Sequence, residues 1–181
     1  MPGDEPDAYV GALRGMKMKH VHAAVAAAAV LAAPAGVHGA ARVADPLSFF
    51  AGQTESVSTV KVMLKKPFKS RSIGHGKLLP DRSLDLVQRV EDEGMPPHER
   101  RWKIRQVGPG RFTGTMSEAV SPVTIDETPK GYRFRFKMKD NLSVEQVLMP
   151  IAGGTAARNV ITVRKFGLKV ARSEGTIRKV D

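Results

Sequence analysis

Nine residues constrain the fold more than any others. In Gly131-Tyr132-Arg133-Phe134-Arg135-Phe136-Lys137-Met138-Lys139, every second side chain is large and apolar and, after Gly131, every other one is a cation. A helix would spread both sets around its axis, whereas an extended strand sends successive side chains to opposite faces. Period two therefore predicts a strand with Tyr132, Phe134, Phe136 and Met138 inward, and with Arg133, Arg135, Lys137 and Lys139 outward. The pattern repeats earlier: Trp102 and Ile104 face in, and Arg101, Lys103 and Arg105 face out. Val60, Val62 and Leu64 alternate with Lys61, Met63 and Lys65, and Leu84 and Leu86 with Asp85 and Val87. Leu142, Val144 and Leu148 continue the series with Gln146 as a polar interruption, followed by Ile161 and Val163.

Turn chemistry punctuates these runs. Gly108-Pro109-Gly110 sets a proline and then a glycine where a type II turn takes them. Pro129-Lys130-Gly131 does the same before the aromatic strand, and Asp140-Asn141 makes a tight reversal after it. Longer connections are expected over Asp92 to Pro97 and Ala152 to Ala157, and a short helix around Pro46 to Gln53. Nine or ten short strands in one series predict an all-β, antiparallel up-and-down meander. Closure into a barrel would remove its exposed edges. A barrel of this size either fills its interior with side chains or holds one small ligand.

Ahead of the strands, residues 16–41 read as an export signal. Met16-Lys17-Met18-Lys19-His20 is cationic, Ala23 to Ala35 is apolar, and Gly36, Gly39, Ala40 and Ala41 are small. Cleavage is expected near Gly39–Ala41, giving a periplasmic protein. Residues 1–15 carry Asp4, Glu5 and Asp7 and fit a start called too early or a disordered extension. The remaining 42–181 is one domain's length. Residues 1–41 hold as many acidic as basic side chains, so the net charge of +11 resides in that domain.

Composition narrows the chemistry. The chain has no cysteine, which excludes a disulfide framework, a thiolate metal site and a cysteine nucleophile. Beyond the leader, only His75 and His98 could ligate a metal or serve a triad, and both read as solvated loop residues. His98 and Glu99 would point to opposite faces of a strand. No G-x-S-x-G motif occurs. Gly74-His75-Gly76-Lys77 lacks the spacing of a phosphate loop, and Asp126-Glu127 is a carboxylate pair at a strand end, where a solvated turn is the commoner reading than an acid/base pair. No catalytic residue, metal or cofactor is assigned, and hydrolase chemistry ranks behind binding.

Two surfaces remain as candidate sites. Trp102, Ile104, Phe112, Met116, Tyr132, Phe134, Phe136 and Met138 would share one interior, either as a filled core or as the wall of a pocket for an apolar or amphipathic ligand or lipid. Gly114, on the same inward column, would mark a bulge, a close strand approach or cavity space. Outside, Arg101, Lys103, Arg105, Arg133, Arg135 and Lys137 would form adjacent columns if their strands lie side by side. In an exported protein such a face suits an anionic membrane or polymer rather than nucleic acid. The inverted arrangement, an outer-membrane barrel with its apolar face outward, lacks an aromatic girdle and sufficiently long strands. Nothing in the sequence sets an oligomeric state.

Three motifs in order carry a resemblance. Phe49-Phe50-Ala51-Gly52-Gln53-Thr54-Glu55-Ser56 opens the domain. Arg101-Trp102-Lys103-Ile104 with Gly110-Arg111-Phe112-Thr113-Gly114 forms a central hairpin, and Arg164-Lys165-Phe166-Gly167-Leu168-Lys169-Val170 closes the set. Together they resemble a bacterial envelope family of unknown function with a lipocalin-like barrel. The resemblance implies an exported barrel and brings no known reaction. The chain departs from that family in lacking a lipid-anchor cysteine, which implies a soluble form. It also departs at Ser56-Val57-Ser58, and at Leu148 to Arg158, where an acidic, aromatic-rich stretch is missing.

Overall fold

The computed structural model describes residues 45–151 and 154–180. The expected leader (16–41) and the extension before it lie outside the described residues. The chain runs through one short helix, α1 (Pro46–Phe50), and ten strands. The strands are β1 (Gly52–Val62), β2 (Phe68–Leu78), β3 (Leu84–Asp92), β4 (His98–Gly108), β5 (Arg111–Met116), β6 (Val123–Thr128), β7 (Gly131–Met138), β8 (Leu142–Pro150), β9 (Ala156–Lys165) and β10 (Leu168–Lys179). Each pairs antiparallel with the next. β1 then pairs with β10 from Thr54↔Lys179 to Val62↔Ala171, closing a lipocalin-like up-and-down barrel.

The alternation places side chains as period two demands. Along β7, Tyr132, Phe134, Phe136 and Met138 are buried and the cations between them are exposed. Trp102 and Ile104 on β4, Phe112 and Met116 on β5, and Leu142, Val144 and Leu148 on β8 complete an apolar interior. Outward positions on β4 and β7 are mostly cationic, with Glu99 and Val107 as exceptions, the reverse of a lipid-facing belt.

Gly114 faces inward on β5 because the β4 backbone crosses it closely. A side chain there would collide with the Lys103 carbonyl oxygen and crowd Ile104 Cα. Of the three meanings open to that glycine, it marks the close strand approach.

The turns follow their chemistry. Gly110 takes φ +63° between β4 and β5, and Asp140 and Asn141 take φ 60° and 58° between β7 and β8. Ser83 N–H and Oγ both donate to Asp81 Oδ1 (3.0 and 2.6 Å), fixing the β2–β3 turn. These hydrogen bonds from Ser83 hold the Asp81 carboxyl below its ordinary value of 3.8. A folded-state pKa below the unfolded one stabilises the fold above the unfolded pKa and is lost as pH falls through the folded pKa. The stability advantage of the native chain over Asp81→Asn is therefore expected to shrink as pH drops below 3.8, as read by urea unfolding at stepped pH. A pH-independent gap would refute the assignment.

Four details depart from the sequence reading. Leu64, placed inward by parity, stands 90% exposed because the chain has already turned at φ 63°. His75 and His98 lie in β2 and β4, not in loops. The expected helix stops at Phe50, and Gly52 and Gln53 already belong to β1. β9 starts at Ala156, inside the expected 152–157 connection.

Candidate functional site

The ends of the barrel differ. At one, α1 lies across the opening. Pro46 at its first turn and the Asp45 carboxylate, which accepts from Leu47 N–H (3.0 Å) and Ser48 N–H (3.2 Å), start the helix. Leu47, Phe49 and Phe50 are buried, and the rings of Phe49 and Phe50 meet edge to face at 5.0 Å. The Phe50 carbonyl sits where a Gly76 side chain would be, so the glycine on β2 lets the helix seat. Lys179 Nζ donates to Ser48 O (3.0 Å), tying the helix to the last strand. The other end carries the β1–β2, β3–β4, β5–β6, β7–β8 and β9–β10 connections and no helix.

Between the ends lies a void of about 80 Å³. Trp102, Phe134, Leu86, Ile161 and Val60 are among its apolar lining residues. Polar residues share the same strands and line it as well. Ser56 and Ser58 of β1, Ser70 and Ser72 of β2 and Ser173 of β10 form a wall of hydroxyls, joined by Gln88, Gln146, Asn159, Asp92 and Arg100. A second space of about 30 Å³ adjoins it and shares Arg100, Trp102, Gln146 and Ile161, with Phe136, Met116 and Met138 beyond.

Hydrogen bonds hold this lining in place. Trp102 Nε1–H donates to Gln88 Oε1 (2.7 Å), so the indole plane is set by the neighbouring strand. Gln146 Nε2–H donates to Asn159 Oδ1 (2.9 Å), which fixes both buried amides. Arg100 Nε–H lies 3.0 and 3.2 Å from the Glu118 carboxylate oxygens, with the two side chains 18% and 14% exposed. Phe134 and Phe136 meet Trp102 edge to face at 6.4 and 5.8 Å, a favoured geometry for aromatic pairs.

All eight interior residues expected from the sequence are buried in one cluster. They divide, however. Trp102, Ile104 and Phe134 line the larger void, Met116, Phe136 and Met138 the smaller, while Phe112 and Tyr132 pack on each other at 6.0 Å outside both. An apolar cavity of about 150 Å³ takes a benzene-sized guest. The larger void here has about half that volume, too little for an acyl chain as the interior stands. The polar half of the lining was missed. Arg100 shares the parity of Trp102 and Ile104, so extending the β4 alternation by one step would have placed it inside.

The six outward cations do not form one face. β5 and β6 separate β4 from β7. Arg101 pairs with Glu99 (2.7 Å), Arg135 with Asp126 (2.6 Å), and Arg133 lies 3.9 Å from Glu145. Exposed pairs of this kind contribute little to stability and dilute the local charge. Among the described residues, no three His, Asp or Glu side chains converge as a metal site requires.

This geometry defines a class, the closed up-and-down barrel with a helix across one end and a small, partly polar interior. Solved structures share the fold, two of them as follows. The S-type phycobiliprotein lyase CPES from Guillardia theta superposes with a TM-score of 0.59 at 8% identity, covering 75% of this chain and 90% of its own. Rv2717c from M. tuberculosis gives 0.58 at 11% identity, covering 75% and 95%. No protein-family model matches the sequence, and no curated protein matches it.

Proposed function

We propose that this chain is an exported, non-catalytic binding protein that holds a small amphipathic molecule inside its barrel. The observation that carries the reading is the mixed lining of the void, where Trp102 and Phe134 join serine hydroxyls, buried amides and Arg100. A core built only for stability gains from filling such space with apolar side chains, because buried polar groups cost free energy unless paired. Polar groups that converge beside aromatic and aliphatic side chains are features of a ligand site. The likeness in fold to a phycobiliprotein lyase, and the motif resemblance to an envelope family of lipocalin-like barrels, agree with a binding role. The leader at 16–41 supports export.

Trp102 is the chain's single tryptophan and lines the void, so its emission reports occupancy directly. Native mass spectrometry of the purified protein is expected to show a 1:1 adduct of low mass, whose release by solvent extraction shifts the Trp102 emission. Arg100→Met, which removes the interior cation, should weaken retention of that adduct about tenfold or more, equivalent to roughly 1.4 kcal/mol. It should also cost about 1–3 kcal/mol of stability by leaving the largely buried Glu118 carboxylate with the Ser117 hydroxyl but no cation. An empty protein whose Trp102 emission responds to no small carboxylate at millimolar concentration would refute the reading.

A further inference from the structure

The end of the barrel opposite α1 carries a second feature that the interior does not explain. β1 and β10 are paired, so the β1–β2 turn and the β9–β10 turn stand side by side, linked by Met63 N–H donating to Val170 O (2.9 Å). Leu64 is 90% exposed, Phe166 68%, Leu168 56% and Met63 37%. Nine large hydrophobic residues are exposed among the described residues, and these four share one tip.

Their backbone makes the arrangement less ordinary. Leu64 and Phe166 adopt φ 63° and 49°, the left-handed region that favours glycine or asparagine and penalises bulky side chains. The β7–β8 turn at the same end meets the same requirement with Asp140 and Asn141. Placing leucine and phenylalanine at such positions opposes local folding preference and projects both side chains into solvent. The charge around them is of one sign. Lys65, Lys66 and Lys169 are exposed and Lys165 is half-exposed. Residues 61–70 and 159–173 contain no Asp or Glu. The nearest carboxylates by register are Asp140, on the β7–β8 turn, and Glu93, which accepts from Lys69 N–H (3.0 Å).

We propose that this double-hairpin tip docks the barrel on an anionic phospholipid bilayer. Leu64, Phe166, Leu168 and Met63 enter the headgroup–acyl boundary, and the surrounding lysines reach lipid phosphates with their stems along the apolar surface. A second copy of the chain is a poorer occupant. Four side chains on two narrow turns fall well short of the roughly 800 Å² per partner of a standard protein interface. This surface is distinct from the interior void, and neither proposal depends on the other.

The test is co-sedimentation with large vesicles of phosphatidylcholine containing 30% phosphatidylglycerol, against vesicles of phosphatidylcholine alone. The protein is taken as recovered from the producing cell, with its N-terminus read by mass spectrometry so that all variants match. The native chain is expected to partition about tenfold or more in favour of the anionic vesicles and to release as salt rises. The paired substitution Leu64→Asn and Phe166→Asn should lower that partition about tenfold or more. Because asparagine suits the backbone at both positions, the melting temperature should hold or rise by roughly 2–4 °C. Lys65→Glu with Lys169→Glu should abolish the preference for anionic vesicles, while Arg133→Glu on the barrel wall should change it less than about twofold. The proposal is overturned if the asparagine pair binds as the native chain does, if neutral vesicles bind equally, or if sedimentation shows a dimer that the asparagine pair dissociates without any loss of vesicle binding.

Discussion

Gly114→Val is expected to be among the most damaging single substitutions in the barrel wall. Its Cβ would occupy the place of the Lys103 carbonyl oxygen, and no rotamer relieves a clash made by Cβ itself. The β4–β5 ladder, paired from Trp102↔Met116 to Gly108↔Arg111, must then part around Ile104↔Gly114. Losing ladder hydrogen bonds and displacing the buried Ile104 together should cost about 3 kcal/mol or more, the upper end of what overpacking a core costs. Denaturant unfolding measures it directly. Gly114→Ala should follow the same course, since the offending atom is already present in alanine. A loss below about 1 kcal/mol for either variant would mean that the strands do not approach as closely as described.

The second large effect is expected at Phe134, which is 2% exposed and sits edge-on to Trp102. Phe134→Ala removes the ring and leaves a hole in a rigid wall, a change that costs about 3–5 kcal/mol in such cores. Because Phe134 lines the existing void, the hole merges with it and the enlarged space becomes able to take an aromatic ring. Benzene or indole at ten times its dissociation constant should then restore about 1.4 kcal/mol. The native chain should gain much less from the same additive. Equal gains in both chains would show that the void does not adjoin Phe134.

The fold was readable where neighbouring positions contrast. On β7, rings alternate with guanidinium and ammonium groups, and only one backbone geometry separates them. The hydroxyl wall escaped because it lacks that contrast. Ser56 and Ser58 alternate with Glu55 and Val57, and Ser70 and Ser72 with Lys69 and Arg71, so small polar residues face inward beside others that look equally suited to water. Arg100 was hidden inside the charged run Glu99-Arg100-Arg101, where parity alone distinguishes the inward residue. Leu64 failed for a different reason. Parity holds only while the strand lasts, and nothing at Leu64 announces a turn that glycine or asparagine would have marked. The supposed union of the β4 and β7 cations ignored what an up-and-down order requires, since consecutive pairing always sets two strands between the fourth and the seventh.

The strand ladders differ in length around the circle, and that has a kinetic consequence. β1 and β10 share nine paired positions, whereas β5 and β6 share four, from Arg111↔Asp126 to Gly114↔Val123. A hoop without a free edge strains evenly until its weakest stave gives. Breathing of this barrel should therefore concentrate at that short joint, and a guest larger than the resting void would wait for it to open, so residence time inside would track backbone fluctuation more closely than affinity.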